Sequence, residues 1–557
     1  MKKLVLPIFL AAACLVGGNH VALAQTVCPA APTPVSVAGN ITTNTTWTRT
    51  NIYLLADYVN VKSGATLTIE PGTIILGRKE TTTTKAGTLI IERGARLIAD
   101  GTATQPIVFT SNQPAGSRNR GDWGGIVLLG NAPVNQTNPI IEGGINQNYG
   151  GTDAADNSGI LRYVRIEFSG IALLPNNEIN GLTMGGVGSG TIIDYVQVSN
   201  NGDDSFEWFG GTVNAKHLVS SGATDDDFDT DFGYSGKVQY GLIIRNPDEA
   251  DVSGSTAFES DNDGQGSAFT PITSPVFSNI TAILPNPIGA TANFTRALHL
   301  RRNTSISIFN SVFAGWPIGL TLDGAAAQAN ATSGSLSIKN TVLAGMTTNN
   351  FQAAGVTTYD VAGYFNAADR ANQTVATATA LNLNADNFQF VGNTAANYLL
   401  PANSPLVSGG AFTDAKLADA FFDKTGTYRG AFPAAATAGA TNWAAGWTNF
   451  NPQITCYNRA GLTLATKSAS DQLQQLAVVP NPSNGPAELR FNLKRGGAAS
   501  VRVFDLTGRQ VATVLVDSKL NTGDQALRLP TNLKAGVYMA TVTTTETSQS
   551  VRFVVVR

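Results

Sequence analysis

The stretch Phe277-Ser278-Asn279-Ile280 recurs as Ile308-Phe309-Asn310-Ser311 and again as Ile338-Lys339-Asn340-Thr341, at a nearly constant interval of about 30 residues. Alternate residues of a strand share a face, so each asparagine should point the same way as the apolar residue two positions before it. This regular return predicts the coils of a solenoid, with the three asparagines stacked about 4.8 Å apart inside the core. Stacked amides can donate hydrogen bonds to one another along such a row.

Other matched segments indicate coils of variable length, roughly 22 to 32 residues each. Gly64–Thr73 resembles Gly87–Leu97, which places Leu67 over Leu89, and Ile160–Ile166 matches Ile192–Val198. Loops of different length between the strands account for this variation. A β-sandwich is the competing architecture, but it does not predict an asparagine on the same face at a nearly constant interval. We therefore predict an all-β chain built around a parallel β-helix.

The two ends of the chain differ from the middle. Lys2 and Lys3 precede an apolar run over residues 4–16, and Ala22-Leu23-Ala24 has the small residues that signal peptidase reads, so residues 1–24 are predicted to be a signal peptide. A membrane anchor and lipidation at Cys14 are the alternatives. The predicted domains are listed here in chain order: the β-helix over 25–349, an irregular C-terminal cap of the β-helix over 350–457, a linker over 458–475 and a terminal domain over 476–557.

The predicted cap is rich in Ala, Asn and Thr, and Trp443, Trp447 and Phe450 lie near its end. We expect it to cover the last coil, with a short helix over Ala415–Phe422 that Thr413 or Asp414 caps. An aromatic platform for a ligand is the alternative.

Two cysteines, Cys28 and Cys456, remain after the signal peptide, one at each end of the body. Either they form a disulfide, which an exported protein permits, or they are separate thiols.

Charge is unevenly distributed. Residues 475–557 carry ten Lys or Arg and five Asp or Glu, a net of +5, and the signal peptide adds +2. Because the whole chain carries −3, residues 25–474 carry −10. An acidic body argues against nucleic acid as a partner and is compatible with cation binding. The sequence contains no P-loop, no His-rich metal site and no Ser-His-Asp arrangement, so a nucleotide is not expected either.

The tail opens with Val478-Val479-Pro480-Asn481-Pro482, continues through a strand ending in Asp505-Leu506-Thr507-Gly508-Arg509, and closes with Gly536–Val542 and Val551–Arg557. These features resemble the type A C-terminal sorting domain of the type IX secretion system. The resemblance implies a small immunoglobulin-like β-sandwich, passage across the outer membrane by the secretion machinery, and then release or attachment to surface lipopolysaccharide. An ordinary accessory domain is the alternative.

The body resembles right-handed parallel β-helix surface proteins of Bacteroidetes. The resemblance rests on Gln105–Ser111, Gly121–Gly125, Gly202–Gly211, Asp225–Gly233 and Ala257–Asp263. It implies the fold and the export route more than any reaction, because β-helix proteins include polysaccharide-cleaving enzymes as well as passive surface proteins.

Acidic clusters are the conspicuous chemical feature. Asp203-Asp204 is followed by Asp225-Asp226 at the same offset that separates Leu67 from Leu89, so the two pairs should lie on adjacent coils. Closely spaced carboxylates repel one another unless a cation lies among them, and oxygen-only ligands favour Ca²⁺. The predicted metal ligands are Asp225, Asp226, Asp227, Asp229, Asp231, Asp261 and Asp263, with Glu259 beside them on a further coil. Solvated turn aspartates are the simpler alternative.

Catalysis by the same clusters is the third interpretation. Asp203, Asp204 and Asp226 are the candidate carboxylates for acid–base cleavage of a glycosidic bond. Alternatively, Ca²⁺ could acidify a uronate and Arg245, Arg301 or Arg302 could take the proton, although an arginine base needs unusual deprotonation.

The sequence therefore supports two functional hypotheses. We favour a non-enzymatic binding or structural protein of the cell surface with Ca²⁺-stabilised turns. The alternative is a secreted lyase or glycoside hydrolase that acts on acidic extracellular polysaccharide.

Overall fold

The computed structural model describes residues 28–81, 85–174, 177–285, 293–390, 393, 397–464, 473–505, 509–544 and 548–556. The predicted signal peptide, with Cys14, and residues 465–472 of the predicted linker lie outside these residues. The described chain divides into two compact units, one within Cys28–Lys467 and the other within Ser468–Arg557.

Twenty-six strands of the first unit form one parallel sheet wound into coils. The strands of this unit are β1 (Val35–Ile41), β2 (Thr45–Trp47), β3 (Ile52–Val61), β4 (Thr66–Ile69), β5 (Ile74–Gly77), β6 (Thr88–Ile91), β7 (Arg96–Asp100), β8 (Ile107–Ser111), β9 (Ile126–Leu129), β10 (Gly159–Glu167), β11 (Ala172–Leu174), β12 (Asn177–Glu178), β13 (Leu182–Gly185), β14 (Ile192–Ser199), β15 (Phe206–Phe209), β16 (Asn214–Ser221), β17 (Phe228–Asp231), β18 (Lys237–Ile244), β19 (Phe258–Ser260), β20 (Val276–Ile283), β21 (Arg296–Arg301), β22 (Ser307–Phe309), β23 (Val312–Ala314), β24 (Ile318–Asp323), β25 (Ser337–Lys339), β26 (Val342–Ala344), β27 (Asn349–Ala354) and β28 (Gln373–Val375). Strands β11 and β12 form a separate antiparallel hairpin.

The parallel strands stack in three ladders. Ladder A contains β2, β4 and β7, the first halves of β10, β14, β16, β18 and β20, and then β22 and β25. Ladder B contains the first halves of β1 and β3, then β5 and β8, the second halves of the same five long strands, and β23, β26 and β28. Ladder C contains the ends of β1 and β3, then β6, β9, β13, β15, β17, β19, β21, β24 and β27. The parallel β-helix predicted from the sequence is therefore present.

The coil spacing agrees with the repeat in one region and not in another. Phe277 pairs with Ile308, and Ile308 with Ile338, as predicted. Leu67, however, pairs with Leu97 and not with Leu89, so the first coils are longer than predicted. The turn sequence explains this, because Gly64-Ala65 recurs as Gly94-Ala95 and both glycines have positive φ, 83° and 78°.

The predicted inward asparagine row is wrong. Asn279, Asn310 and Asn340 have φ of 60°, 52° and 54°, so they form the corner between ladders A and B rather than part of a strand. Asparagine tolerates this left-handed conformation better than most residues. The Asn310 Oδ1 accepts from the Ala411 amide at 2.9 Å, and Asn279 Nδ2 donates to the Gly430 carbonyl at 3.2 Å. These side chains thus bind the C-terminal part of the body instead of one another.

The same corner carries aromatic rings on earlier coils. Tyr163, Tyr195, His217 and Tyr240 also have positive φ. Their rings stack in series, with centroid distances of 4.4, 4.1 and 5.1 Å. The corner is therefore one continuous row of left-handed residues from Tyr163 to Asn340.

The end of the β-helix lies later than the predicted boundary at residue 349, because β27 and β28 still pair with earlier coils. Helix α1 (Ala325–Ser333) lies beside ladder C, and helix α2 (Val361–Asn366) follows the last full coil. Phe365 of α2 packs 5.1 Å from Phe351, which closes the apolar interior at this end. Only this short part of the predicted cap covers the last coil.

Residues 376–457, which we call the strap, run back along the outside of the β-helix. Asp414 pairs with Lys339, Asp423 accepts from Tyr240 and Gln239, and the Trp447 carbonyl accepts from Arg165. Near the end of the strap, Arg118 donates to the carbonyls of residues 452 and 455. The contacts thus extend along the side of the β-helix from the late coils at Asp414 to the early coils at residues 452 and 455, so most of 350–457 does not cover the last coil.

The strap takes this path because the outer face of ladder B is apolar. Val219, Leu242, Ile244 and Ile283 point outward there and are covered by strap residues that include Phe432 and Trp447. Covering such a surface is favourable by about 25 cal/mol per Å². The Trp443 and Trp447 edges also contact the ring row, for example Trp447 at 5.7 Å from Tyr163. These tryptophans therefore pack against protein, and the predicted aromatic platform is not an open surface.

The strap contains little regular structure. Its 3-10 turns, together with one just before it, are Ala368–Arg370, Ala378–Leu381, Ala385–Phe388, Pro405–Val407, Ala415–Leu417 and Pro452–Ile454. The predicted helix over Ala415–Phe422 is reduced to one such turn, with Asp414 accepting from the Lys416 amide at 3.0 Å. At the end of the strap, Cys456 forms a disulfide with Cys28, with the two Cα atoms 5.6 Å apart.

The second unit is a small sandwich of two antiparallel sheets. Its strands are β29 (Leu473–Val479), β30 (Glu488–Leu493), β31 (Gly497–Asp505), β32 (Gln510–Leu520), β33 (Gly523–Arg528), β34 (Gly536–Thr544) and β35 (Ser548–Val555). The three-stranded sheet β29-β30-β33 and the four-stranded sheet β32-β31-β34-β35 enclose one apolar core. Within the described ranges, no helix of either unit is long and apolar enough to cross a membrane.

Candidate acidic site on ladder C

The inner face of ladder C positions the acidic residues on its outer face. Phe206, Phe228 and Phe258 are paired in register and fully buried in the interior. Because neighbouring residues of a strand point to opposite faces, Glu207, Asp229 and Glu259 stack in register on the outside. His299 continues this outer row on β21.

The turns that enter β15 and β17 bring the two aspartate pairs together. Phe206 pairs with Phe228, so the offset between Asp203-Asp204 and Asp225-Asp226 corresponds to one coil. The Asp226 amide donates to Asp204 Oδ1 at 2.7 Å, and the Thr256 amide donates to Asp226 Oδ1 at 2.5 Å. These bonds join three successive coils through carboxylates.

Two sets of carboxylates could each hold a metal ion. The turn set is Asp203, Asp204 and Asp225, and the strand set is Asp204, Glu207 and Asp229. Within each set, one oxygen of every residue lies within 4.8 Å of the others. Ca²⁺ binds oxygen ligands at about 2.3–2.6 Å, so opposite ligands lie up to about 5 Å apart and the spacing fits this ion. Asp204 belongs to both sets.

The carboxylates of these sets are buried close to one another and repel one another when ionised. Burial, followed by repulsion from neighbouring carboxylates, raises the pKa of Asp203, Asp204, Glu207 and Asp229 well above the ordinary range. The same causes raise the pKa of Asp225 to about 6. Among the described residues, no Lys, Arg or His forms an ion pair with these five carboxylates. A bound cation would relieve this repulsion.

Three of the predicted metal ligands already bind other protein groups. Asp227 pairs with Arg245 at 3.1 Å, and both side chains are fully buried. Asp261 accepts from Arg301 at 2.9 Å and from Arg302 at 2.8 Å, and Arg301 also bonds Glu259. Arginine side chains therefore neutralise this part of the predicted metal site.

Asp263, the third of these ligands, closes its own loop. Its Oδ1 accepts from the Gln265 amide at 2.8 Å, and its Oδ2 accepts from the Ser267 hydroxyl. This bonding is typical of a turn rather than of a Ca²⁺ loop.

Of the remaining predicted ligands, Asp225 and Asp229 lie in the two sets, and Asp226 bridges coils beside them. Asp231 accepts from the Phe232 amide at 2.6 Å and lies in neither set. Arg245, the predicted base, donates to the carbonyls of Asp225 and Thr224 and has no exposed surface. It cannot reach a substrate.

Sequence reasoning missed the residues that enclose Glu207. Asn180 Nδ2 donates to Glu142 Oε1 at 2.7 Å and also to Glu207 Oε2. Glu142 is supplied by the insertion after β9, and its carboxyl also hydrogen-bonds Glu207. No sequence signal linked Glu142 to the cluster, whereas Glu207 and Asp229 do share the offset of the aspartate pairs.

Several buried polar atoms around Glu207 lack a hydrogen-bond partner. They are Asn180 Oδ1, Thr183 Oγ1, Tyr149 Oη and Asp229 Oδ1. Asn180, Thr183 and Tyr149 have exposed fractions of 0, 1 and 2 %. Thr183 pairs directly with Glu207 in ladder C. Burial is the main cause that raises the pKa of Tyr149, and the nearby carboxylates of Asp231, Glu207 and Glu142 raise it further. Buried polar groups are rarely left without a partner, so these atoms are available to bind a ligand or water.

Comparison with known proteins matches both units. Residues 39–448 match the family model of the pectate-lyase-like β-helix domain, and residues 477–557 match the secretion system C-terminal sorting domain. No curated protein matches the chain.

Two solved structures show remote similarity. One is PorZ, a surface component of the type-IX secretion system of Porphyromonas gingivalis, with 22 % identity over 18 % of this chain and 14 % of that chain and a TM-score of 0.12. The other is a tailspike protein of an Acinetobacter baumannii bacteriophage, described as a capsular polysaccharide depolymerase. It has 10 % identity over 85 % of this chain and 73 % of that chain, with a TM-score of 0.21.

Proposed function

This chain belongs to the pectate-lyase-like β-helix family, and we propose that it is a non-enzymatic binding or structural protein of the cell surface whose coils are joined by Ca²⁺. The sorting domain means that the protein is secreted to the surface through the type IX machinery. In the proposed course of export, residues 1–24 and the tail are removed. The body is then released or attached to surface lipopolysaccharide.

One observation carries the calcium proposal: five carboxylates lie in two overlapping sets, and no described basic side chain pairs with them. Nearby, Arg301 and Arg302 neutralise Glu259 and Asp261 directly. Arginine side chains thus neutralise one half of the acidic row, and a metal ion would neutralise the other half. Such an ion would tie the turn before β15 to β17 and so stiffen the solenoid.

Calcium titration of the mature chain tests the proposal. After removal of divalent ions, Ca²⁺ should raise the thermal unfolding temperature of the wild-type protein. Asp204→Asn should abolish the increase because Asp204 belongs to both sets. Asp248→Asn, which removes the same charge from an exposed loop residue, is the matched control and should keep the increase. An unchanged unfolding temperature of the wild type with Ca²⁺ would contradict the proposal.

A specific observation also favours a second candidate, cleavage of an acidic polysaccharide. Glu142 and Glu207 are hydrogen-bonded to each other and to Asn180, and burial raises the pKa of both carboxyls. Hydrolysis of a glycosidic bond uses one protonated and one ionised carboxyl about 5–9.5 Å apart, so a substrate would have to separate this hydrogen-bonded pair. The assay is release of reducing or unsaturated sugars from a panel of polysaccharides. Activity that Glu207→Gln removes and Asp248→Asn retains would establish this candidate over the first.

A further inference from the structure

We infer that the acidic site holds two Ca²⁺ ions bridged by the Asp204 carboxylate, an inference that rests on the proposed calcium function. The turn set would hold one ion and the strand set the other. The two sets share Asp204 and no other residue. A bridging aspartate would therefore be the link between two otherwise separate sites.

Chain geometry separates the two sets. Asp203 and Glu207 lie at opposite ends of one short segment, and Asp225 and Asp229 lie at the matching ends of the segment on the next coil. An extended chain advances about 3.3 Å per residue, and even a turn within such a segment leaves its two ends several ångström apart. A single Ca²⁺ reaches only about 2.5 Å to each ligand, so one ion serves one end of these segments.

The strand set has features of a partly dehydrated site. Asp204 and Glu207 are each 7 % exposed, and the fully buried Asn180, whose Nδ2 donates to Glu207, also carries an unpartnered Oδ1. The hydroxyls of Thr183 and Tyr149 also lack partners. Amide and carboxylate oxygens are both ligands that Ca²⁺ accepts. These neutral atoms are an observation independent of the acidic cluster.

The turn set is more open and is surrounded by other acidic groups. Asp203 and Asp225 are partly exposed. Ser253 Oγ lies 3.2 Å from Asp225 Oδ2 and 2.6 Å from Asp251 Oδ2. The Asp251 carboxylate is therefore linked to this set through the Ser253 hydroxyl. An ion here would keep water ligands. The two ions would differ in hydration and in affinity.

Equilibrium dialysis of the mature full-length chain against Ca²⁺, after treatment with a chelator, tests the inference. The wild type should bind two ions per chain. Asp203→Asn should leave one, Glu207→Gln should leave one, and Asp204→Asn should lose both, while Asp248→Asn should keep two. Far-ultraviolet circular dichroism confirms that each variant retains β structure.

The outcomes separate the two proposals. One ion per wild-type chain would overturn the bridged pair and leave the calcium proposal standing. Two ions that survive Glu207→Gln would also overturn it, since the second ion would then lie elsewhere. No binding to the wild type would remove both proposals.

Discussion

Asp225→Asn should have opposite effects on stability without and with Ca²⁺. In the calcium-free protein, burial and the neighbouring Asp251 and Glu259 raise the pKa of Asp225 from 3.8 to about 6. A carboxyl whose pKa is raised on folding favours the folded state at low pH, and this contribution is lost as the pH rises through the folded pKa. At pH 7 the ionised side chain therefore opposes folding, and the uncharged amide does not.

The size of the effect follows from the pKa difference. A rise of about 2.2 in the pKa corresponds to about 3 kcal/mol at about 1.36 kcal/mol for each pKa unit, and partial exposure of the side chain reduces this to about 2–3 kcal/mol. The first unit spans roughly 440 residues, for which the unfolding entropy is about 0.9 kcal/mol per kelvin. The variant should therefore unfold about 2–3 °C higher than the wild type in chelator at pH 7.

Calcium should reverse the order. At about 1,000 times its dissociation constant, one bound ion stabilises the wild type by about 4.1 kcal/mol, or about 4–5 °C here, and the variant loses this gain at the turn set. Scanning calorimetry at pH 7 and pH 4, with and without Ca²⁺, measures both effects, with Asp248→Asn as the control. Near pH 4 the difference in chelator should largely disappear. A variant that is less stable than the wild type in chelator at pH 7 would refute the electrostatic reasoning.

Three further expectations concern the strap and the metal site. Trp447→Ala should lower the free energy of unfolding by about 3–5 kcal/mol, because Trp447 is 1 % exposed and contacts both Tyr163 and Tyr195. Urea denaturation measures this loss. A loss below about 1 kcal/mol would mean that this ring does not hold the strap. The double variant Cys28→Ser and Cys456→Ser opens a covalent loop with a sequence separation of 428 residues. The chain entropy that this loop removes from the unfolded state predicts that the free energy of unfolding falls by about 5–6 kcal/mol. An unchanged urea midpoint would show that packing alone fixes the strap. Calcium affinity, measured by titration calorimetry, should fall by about tenfold per pH unit for each proton displaced as the pH drops below about 6, since the carboxylates must ionise to bind; equal affinity at pH 7.5 and pH 5 would exclude them as ligands.

The sequence predicted the solenoid because the interior of each coil repeats an apolar residue in register, as in Phe277, Ile308 and Ile338. It misplaced the three asparagines because the strand alternation breaks at a corner, where one left-handed residue changes the direction of the chain. Nothing local in the sequence marks that break. The tail was recognised in full because its motifs are contiguous.

The acidic site was predicted in part for the same reason. Asp203-Asp204 and Asp225-Asp226 lie in turns of equal length, so a simple offset brings them together. Asp227, by contrast, is fully buried, accepts from the Ser220 hydroxyl and pairs with Arg245, a contact that no sequence offset predicts. Glu142 and Asn180 enter the site from insertions whose paths depend on tertiary packing, and no periodicity reveals them. The course of the strap depends likewise on the outer face of ladder B, which is formed from several separate coils.

The strap also determines how the body would respond to a mechanical load on its C-terminal end. The chain leaves the first unit beside its earliest coils, where the amides of Leu462 and Leu464 donate to the carbonyls of Gly72 and Thr104. A pull from this end would detach those few bonds first and then meet the Cys28–Cys456 bridge. At the bridge the force divides between the strap and Cys28, which leads into β1, so peeling of the strap alone ends there. The acidic coils, farther along the solenoid, would be shielded from the force.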